Sequence, residues 1–368
     1  MSSKPNDASD ASSHDASPSD ATGTSSKPSD ASPNDASPSD DASPNDASSN
    51  DASPNDAHPS DAARASRRRA IRFAIQLLGT SAGFLWIGLT VDLRAVGQAV
   101  RTLPITSFLA AVALSFVGLF VGAARWQVLL RAYGAPSIPR FSRLAQLYFV
   151  GFFYNTYLPG GVGGDVVRGV VTRESFGDAG ATRALTVVLV ERVLGLGGLL
   201  ALVAALLAFA PPRGFEGVAG FAALGVVGAL AGVASIAFAR RLGPKLPGPI
   251  GRLASSLPEL ANVPAFALAF AMSLVTQSIV GLGGYAILRG LTDVLSMGDA
   301  FVIAPLASAT AFLPFTVGGA GAREAAYVFV GEPMGLSATD ATAASLLVWA
   351  AQLVVAAMGG LLQLFRRT

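Results

Sequence analysis

Six stretches of about twenty residues, almost free of charge, constrain this chain more than anything else in it. They are Phe73–Val91, Pro104–Ala124, Leu185–Ala210, Gly217–Ala239, Pro264–Leu288 and Thr342–Phe365. Each is long enough to cross a hydrocarbon core as a helix, and their many glycines suit close helix packing in lipid. Two further apolar segments, Phe141–Leu158 and Met297–Leu313, are at the short end for a crossing, and each runs into Leu-Pro and a glycine cluster. The expectation is an all-α integral membrane protein with about six full spans plus two re-entrant broken-helix segments arranged as an inverted repeat.

Residues 1–63 repeat a short Asp-Ala-Ser-Pro theme with almost nothing apolar larger than Ala. Such a segment cannot bury enough surface to offset its ordering entropy, so a disordered acidic tail is expected there and a polytopic membrane domain over 64–368. The net charge of +2 hides a split. The tail sets 12 Asp against Lys4 and Lys27, a net −10, and the rest sets 24 Lys+Arg against 12 Asp+Glu, a net +12. There is no cysteine, and His14 and His58 both fall in the tail. The folded part therefore has no thiolate, disulfide or histidine base, and no metal or other cofactor is expected.

Lys and Arg near span ends set orientation. Arg64, Arg67, Arg68, Arg69 and Arg72 precede the first span, Arg131, Arg140 and Arg143 follow the second, and Arg240, Arg241, Lys245 and Arg252 follow the fourth. All fall on the cytoplasmic side only if Phe141–Leu158 dips in and returns. The same reasoning makes Met297–Leu313 a dip from the outer face and puts both termini in the cytoplasm.

The two broken regions align at an offset of 155, Leu158–Arg168 on Leu313–Arg323, with six of eleven positions identical. Paired Gly/Pro-interrupted segments in inverted halves point to a transporter site near the midplane. After each break the chain can restart as a half-helix whose N-terminus offers N–H groups to an anion, with Gly163, Gly164, Gly318 and Gly319 permitting close approach. Arg168 and Arg323 take matching positions in this alignment, and an Arg fork suits a phosphate. Glu191 and Arg192 sit inside an apolar span, where charges are costly and usually functional. Being adjacent, they point about 100° apart, so each needs a partner elsewhere: Arg168 or Arg323 for Glu191, Asp165 or Glu324 for Arg192. Asn155 and Tyr157 lie just before the first break and can line a cavity. Arg125, Trp126 and Arg131 read as an interfacial anchor at the inner end of the second span.

At these residues the chain resembles the lysylphosphatidylglycerol synthase transmembrane family, also called the flippase-like domain family. The resemblance rests on Arg125-Trp126-x-x-Leu129-Leu130-Arg131, on Gly151-Phe152-Phe153-Tyr154-Asn155-Thr156-Tyr157-Leu158-Pro159-Gly160-Gly161-x-Gly163-Gly164-Asp165-x-x-Arg168, on Glu191-Arg192-Val193-Leu194-Gly195, and on Leu313-Pro314-x-x-x-Gly318-Gly319-x-Gly321-x-Arg323-Glu324. It covers roughly residues 72–365. The family usually has Asp where Glu191 stands. The resemblance implies a stand-alone membrane member without the aminoacyl-transfer domain of fused relatives, and so a translocator rather than an enzyme. Membrane lipids are the expected partners, whether anionic or aminoacylated phospholipid or a polyprenyl-linked lipid, with a separate synthase as a further candidate; nucleic acid is not expected. A transferase acting on a lipid carrier, or a non-transporting scaffold for a synthase, are the alternatives. Gly160–Arg168 lacks the Lys-Ser/Thr of a P-loop, which argues against ATP-driven pumping.

Overall fold

The computed structural model describes residues 59–157, 163–257, 259–313, 316 and 318–364. Every regular element among them is helical: α1 (Pro59–Thr90), α2 (Leu93–Thr102), α3 (Ile105–Ala132), α4 (Phe141–Tyr157), α5 (Gly163–Val171), α6 (Gly180–Phe209), α7 (Ala219–Ala237), α8 (Ala239–Leu242), α9 (Gly248–Ser256), α10 (Val263–Leu291), α11 (Met297–Ala309), α12 (Ala322–Gly331) and α13 (Ala338–Leu364). Helices α3, α6, α7, α10 and α13 are long and apolar enough to cross a membrane. A sixth crossing is available if Phe73–Leu89 and α2, bent by 90° to each other, count as one. The expected tail over 1–63 lies outside the described residues up to 58, and α1 begins at Pro59.

Local chemistry explains several boundaries. Asp92 ends the first long helix and starts α2, its carboxylate accepting from the backbone N–H of Arg94 (2.9 Å) and Ala95. This is ordinary N-capping. Ser296 and Asp299 form a capping box that starts α11. Two spans are longer than the apolar runs suggest: α3 continues to Ala132 and carries Arg125 and Trp126 inside the helix, and α6 begins at Gly180 rather than Leu185.

Helices α3 and α10 pack antiparallel along their length. Gly290 lies against Leu103 and Ser107, Gly118 against Ile279, and the N–H groups of Ala261 and Asn262 both bond the Ala132 carbonyl (2.8 and 3.0 Å). The core falls into two main clusters. One joins the C-terminal end of α3 (Trp126, Leu129, Leu130) to the first half of α6 (Ala184, Val187, Leu194) and of α10 (Phe266, Ala269). The other joins Ala111 of α3 to the second half of α6 (Leu199, Val203), the end of α10 (Ile287, Leu288) and the start of α13 (Ala341, Ala344). The C-terminus of α3 and the N-terminus of α6 thus share one end of the bundle. The pair α4–α5 that connects them leaves from and returns to that end. By the same contacts α11–α12 leaves from and returns to the opposite end.

Element order repeats. Helices α3, α4, α5 and α6 have 28, 17, 9 and 30 residues; α10, α11, α12 and α13 have 29, 13, 10 and 27. Packing repeats too: α4 rests on α13 as α11 rests on α6, α5 on α6 as α12 on α13, and α3 on α13 as α10 on α6. Two glycine contacts hold the short helices in place. Gly164 of α5 touches Gly151 of α4 so closely that an added Cβ would lie 1.8 Å from the Gly151 carbonyl oxygen. Gly321, at φ +80°, abuts Gly83 of α1, where an added Cβ would lie 2.9 Å from its Cα.

Candidate functional site

Five charged side chains from three helices converge between α3, α5 and α6. Glu191, 2 % exposed, is the hub. Its Oε1 accepts from Arg125 Nη2 (3.0 Å) and from the Tyr148 hydroxyl (2.9 Å), and its Oε2 accepts from Arg168 Nη1 (2.9 Å). Arg168 also donates to Asp165 Oδ1 (2.6 Å), one turn earlier on α5. Asp165 in turn accepts from Arg192 through Oδ2 and from the Asn155 amide (3.2 Å). Arg125 completes its contacts on Ser273 of α10 (3.1 Å). The Arg168 guanidinium lies over two aromatic rings, 5.0 Å from the Trp126 centroid and 4.5 Å from that of Tyr148.

Position and charge make this group unusual. Glu191 is eleven residues into α6, on the order of 16 Å along its axis. Charges taken that far from water persist when paired and fully hydrogen-bonded. Three guanidinium groups face two carboxylates, so the cluster carries one formal positive charge in excess. It borders a cavity of about 190 Å³ whose walls add Phe152, Thr276, Gln277 and Phe312. Two polar atoms beside that cavity, Arg125 Nε and Gln277 Oε1, have no hydrogen-bond partner among the described residues. Arg192 is the most accessible of the three arginines, its side chain 27 % exposed against 8 % for Arg125 and 6 % for Arg168.

A second, smaller cluster sits on α12 and α13. Arg323 donates to Glu324 (2.8 Å) and Ser345 (3.2 Å), Ser345 donates to Glu324 (3.0 Å), and the guanidinium lies 5.4 Å from the Trp349 centroid. Glu324 also accepts from the Gly321 N–H (2.7 Å), capping α12 from within. Gly318 and Gly319 take positive φ, +60° and +83°, in the turn before it. None of these residues lines the charged cavity.

The profile of a family described as "Lysylphosphatidylglycerol synthase TM region" matches residues 71–360. The chain belongs to this family. A comparison with curated proteins found no significant match. The matched stretch contains both charged clusters of this lysylphosphatidylglycerol synthase TM-region protein and all five membrane-length helices but for the end of α13. It is a multi-pass membrane protein of lipid-related function.

Of the pairings left open by the sequence, the protein uses Arg168 for Glu191 and Asp165 for Arg192. Asn155 joins the cluster, its Oδ1 accepting from the Gly164 N–H (2.8 Å), whereas Tyr157 bonds the Leu353 carbonyl outside the cavity. Gly163 starts α5, and Gly164 sets its crossing with α4. Three expectations need correction. Arg125 is not an interfacial anchor but a buried member of the cluster, 6 % exposed; its separation of 66 positions from Glu191 hides a contact made only when α3 and α6 pack. Arg168 and Arg323 do not occupy matching positions, being the sixth residue of α5 and the second of α12. Nor are the half-helix N-termini wholly open to an anion, since one N–H at each is taken: Gly321 donates to Glu324 at the start of α12 and Gly164 donates to Asn155 at the start of α5. The Leu158–Val162 part of the first motif, with Pro314, Phe315 and Val317 of the second, lies outside the described residues.

Proposed function

We propose that this protein is a translocator of phospholipid or lipid-linked substrate across the cytoplasmic membrane, and that the charged cavity takes the phosphate of the headgroup. The observation that carries this reading is a buried cluster with excess positive charge, bordering a cavity, in a family membrane domain of lipid-related function. Guanidinium groups hold phosphate through paired, charge-assisted hydrogen bonds. An entering phosphate would compete with Asp165 for Arg192 and Arg168, while Glu191 keeps Arg168 and Arg125 aimed at the cavity. One excess positive charge matches a monoanionic phosphodiester and opposes a headgroup with net positive charge. The unpartnered Gln277 Oε1 can accept from a headgroup hydroxyl. Both carboxylates are tied to arginines, which suits orientation rather than proton transfer and favours a translocator over an enzyme.

The matched packing of the two halves supports an inverted repeat. Helices α3 and α10 correspond to each other and run antiparallel, so the operation relating them lies across their axes, in the plane of the membrane. The basic residues then favour both termini in the cytoplasm, with α4–α5 dipping in from that side. Partners in this reading are membrane lipids and, where the lipid is modified first, a separate synthase.

The reading predicts selective lipid retention. Purified wild type, delipidated and offered phosphatidylglycerol, should hold it in native mass spectra better than a zwitterionic lipid of equal chain length. Arg192→Gln should weaken retention about ten- to a hundredfold, the worth of one charge-assisted hydrogen bond. Equal retention of both lipids by wild type, unchanged in Arg192→Gln, would count against a phosphate site in this cavity.

A further inference from the structure

A second cavity, of about 220 Å³, adjoins the charged one and shares Tyr148, Phe152 and Thr276 with it. Its remaining walls come from α3, α10 and α13 and are mostly apolar, with Ser115 and Gln352 the polar exceptions. The space exists because small residues line it: Gly118 on α3, Gly283 and Gly284 on α10, Ala351 on α13. We propose that this second cavity receives a hydrocarbon chain of the same lipid whose phosphate occupies the first, making a two-compartment site for an amphiphile; this rests on the phosphate reading above.

The partition between the compartments carries the proposal. The Tyr148 hydroxyl is committed to Glu191 on the charged side (2.9 Å), while its ring also walls the apolar space. The Thr276 hydroxyl is turned back onto the Met272 carbonyl of its own helix (2.8 Å), so it offers the cavities no free donor. A phosphate held by the arginines therefore has, directly beyond Tyr148 and Phe152, mostly apolar walls, with the Ser115 hydroxyl already donated to the Ala111 carbonyl (2.8 Å). Apolar walls without a partner forfeit dispersion contacts, which a methylene chain restores. A water-soluble phosphate compound would leave this compartment unused, and a lipid fills both.

Gly283 provides a clean test, because a Cβ added there meets nothing within 4 Å. Gly283→Leu is therefore expected to place bulk in the cavity that Gly283 lines, and Gly220→Leu, equally open at its Cβ on α7, is the control. Phosphatidylglycerol with a photoreactive diazirine in mid-chain is reconstituted with each protein, irradiated, and the labelled peptides mapped. The expected result is labelling of α3 and α10 around Gly118 and Ile279 in wild type and Gly220→Leu. In Gly283→Leu that labelling should fall to the level of the lipid-facing side of α7. Wild-type label confined to lipid-facing surfaces, or label around Ile279 undiminished by Gly283→Leu, would overturn the chain compartment. A short-chain phosphatidylglycerol tests the headgroup separately: its retention should be the same in wild type and Gly220→Leu and should fall about ten- to a hundredfold in Arg192→Gln. If wild type retains it but mid-chain labelling fails, the chain compartment falls while the phosphate site stands. If wild type does not retain it, both fall.

Discussion

Replacing Glu191 with Ala is expected to destabilise the protein by about 3–5 kcal/mol, the usual effect of removing one partner from a buried ion network. Glu191 accepts three hydrogen bonds, from Arg125, Arg168 and Tyr148, at 2 % exposure. Without it the local balance becomes three guanidinium groups against Asp165 alone, and Arg125 keeps only Ser273 among its bonded partners. Glu191→Gln should lose less, because an amide oxygen still accepts one bond while the charge is gone. Glu191→Asp keeps the charge on a shorter stem and should be the mildest of the three. Reversible unfolding in mixed micelles, followed by tryptophan fluorescence, checks the order; wild-type stability in Glu191→Ala would mean the cluster is not a coupled network.

Gly164→Ala should do comparable damage by a different route. Its methyl would sit 1.8 Å from the Gly151 oxygen and 2.6 Å from the Gly151 Cα, both backbone atoms that no rotamer change can move. Helix α5 would have to retreat from α4, carrying Asp165 and Arg168 away from Asn155, Glu191 and Arg192. Overpacking of this kind costs about 1–3 kcal/mol, more where backbone blocks backbone. The reciprocal change, Gly151→Ala, meets the Arg168 Cδ at 3.1 Å and the Gly164 oxygen at 3.2 Å, so a flexible side chain absorbs part of the strain. The expected ranking is Gly164→Ala well below Gly151→Ala in both thermal stability and lipid retention. A well-folded Gly164→Ala with wild-type retention would contradict the placement of α5.

The long helices were legible because apolar run length responds to one physical demand, the thickness of the hydrocarbon core. Glu191 and Arg192 were legible for the converse reason, standing as charges where such a run should have none. Arg125 was not, since seven residues from the end of α3 it looks like any arginine reaching for headgroups. Its burial depends on α6 and α10 closing over it, which spacing along one helix cannot reveal. Helix α2 was missed although Asp92 is a good N-cap and Val96 and Val100 face the core, because the short segment follows a span and resembles a loop. The match between Arg168 and Arg323 misled because identical letters in glycine-rich motifs do not fix helix register. The two α-helices begin 159 residues apart, whereas the motifs align at 155.

Translocation itself is the most direct measurement. Proteoliposomes carrying a headgroup-labelled fluorescent anionic phospholipid are treated with a membrane-impermeant quencher, and loss of the protected inner-leaflet signal is followed in wild type and Arg192→Gln. The account predicts that wild type exposes the inner-leaflet lipid and that Arg192→Gln does so about ten- to a hundredfold more slowly at equal folding. Folded wild type that leaves the inner-leaflet signal protected would contradict it.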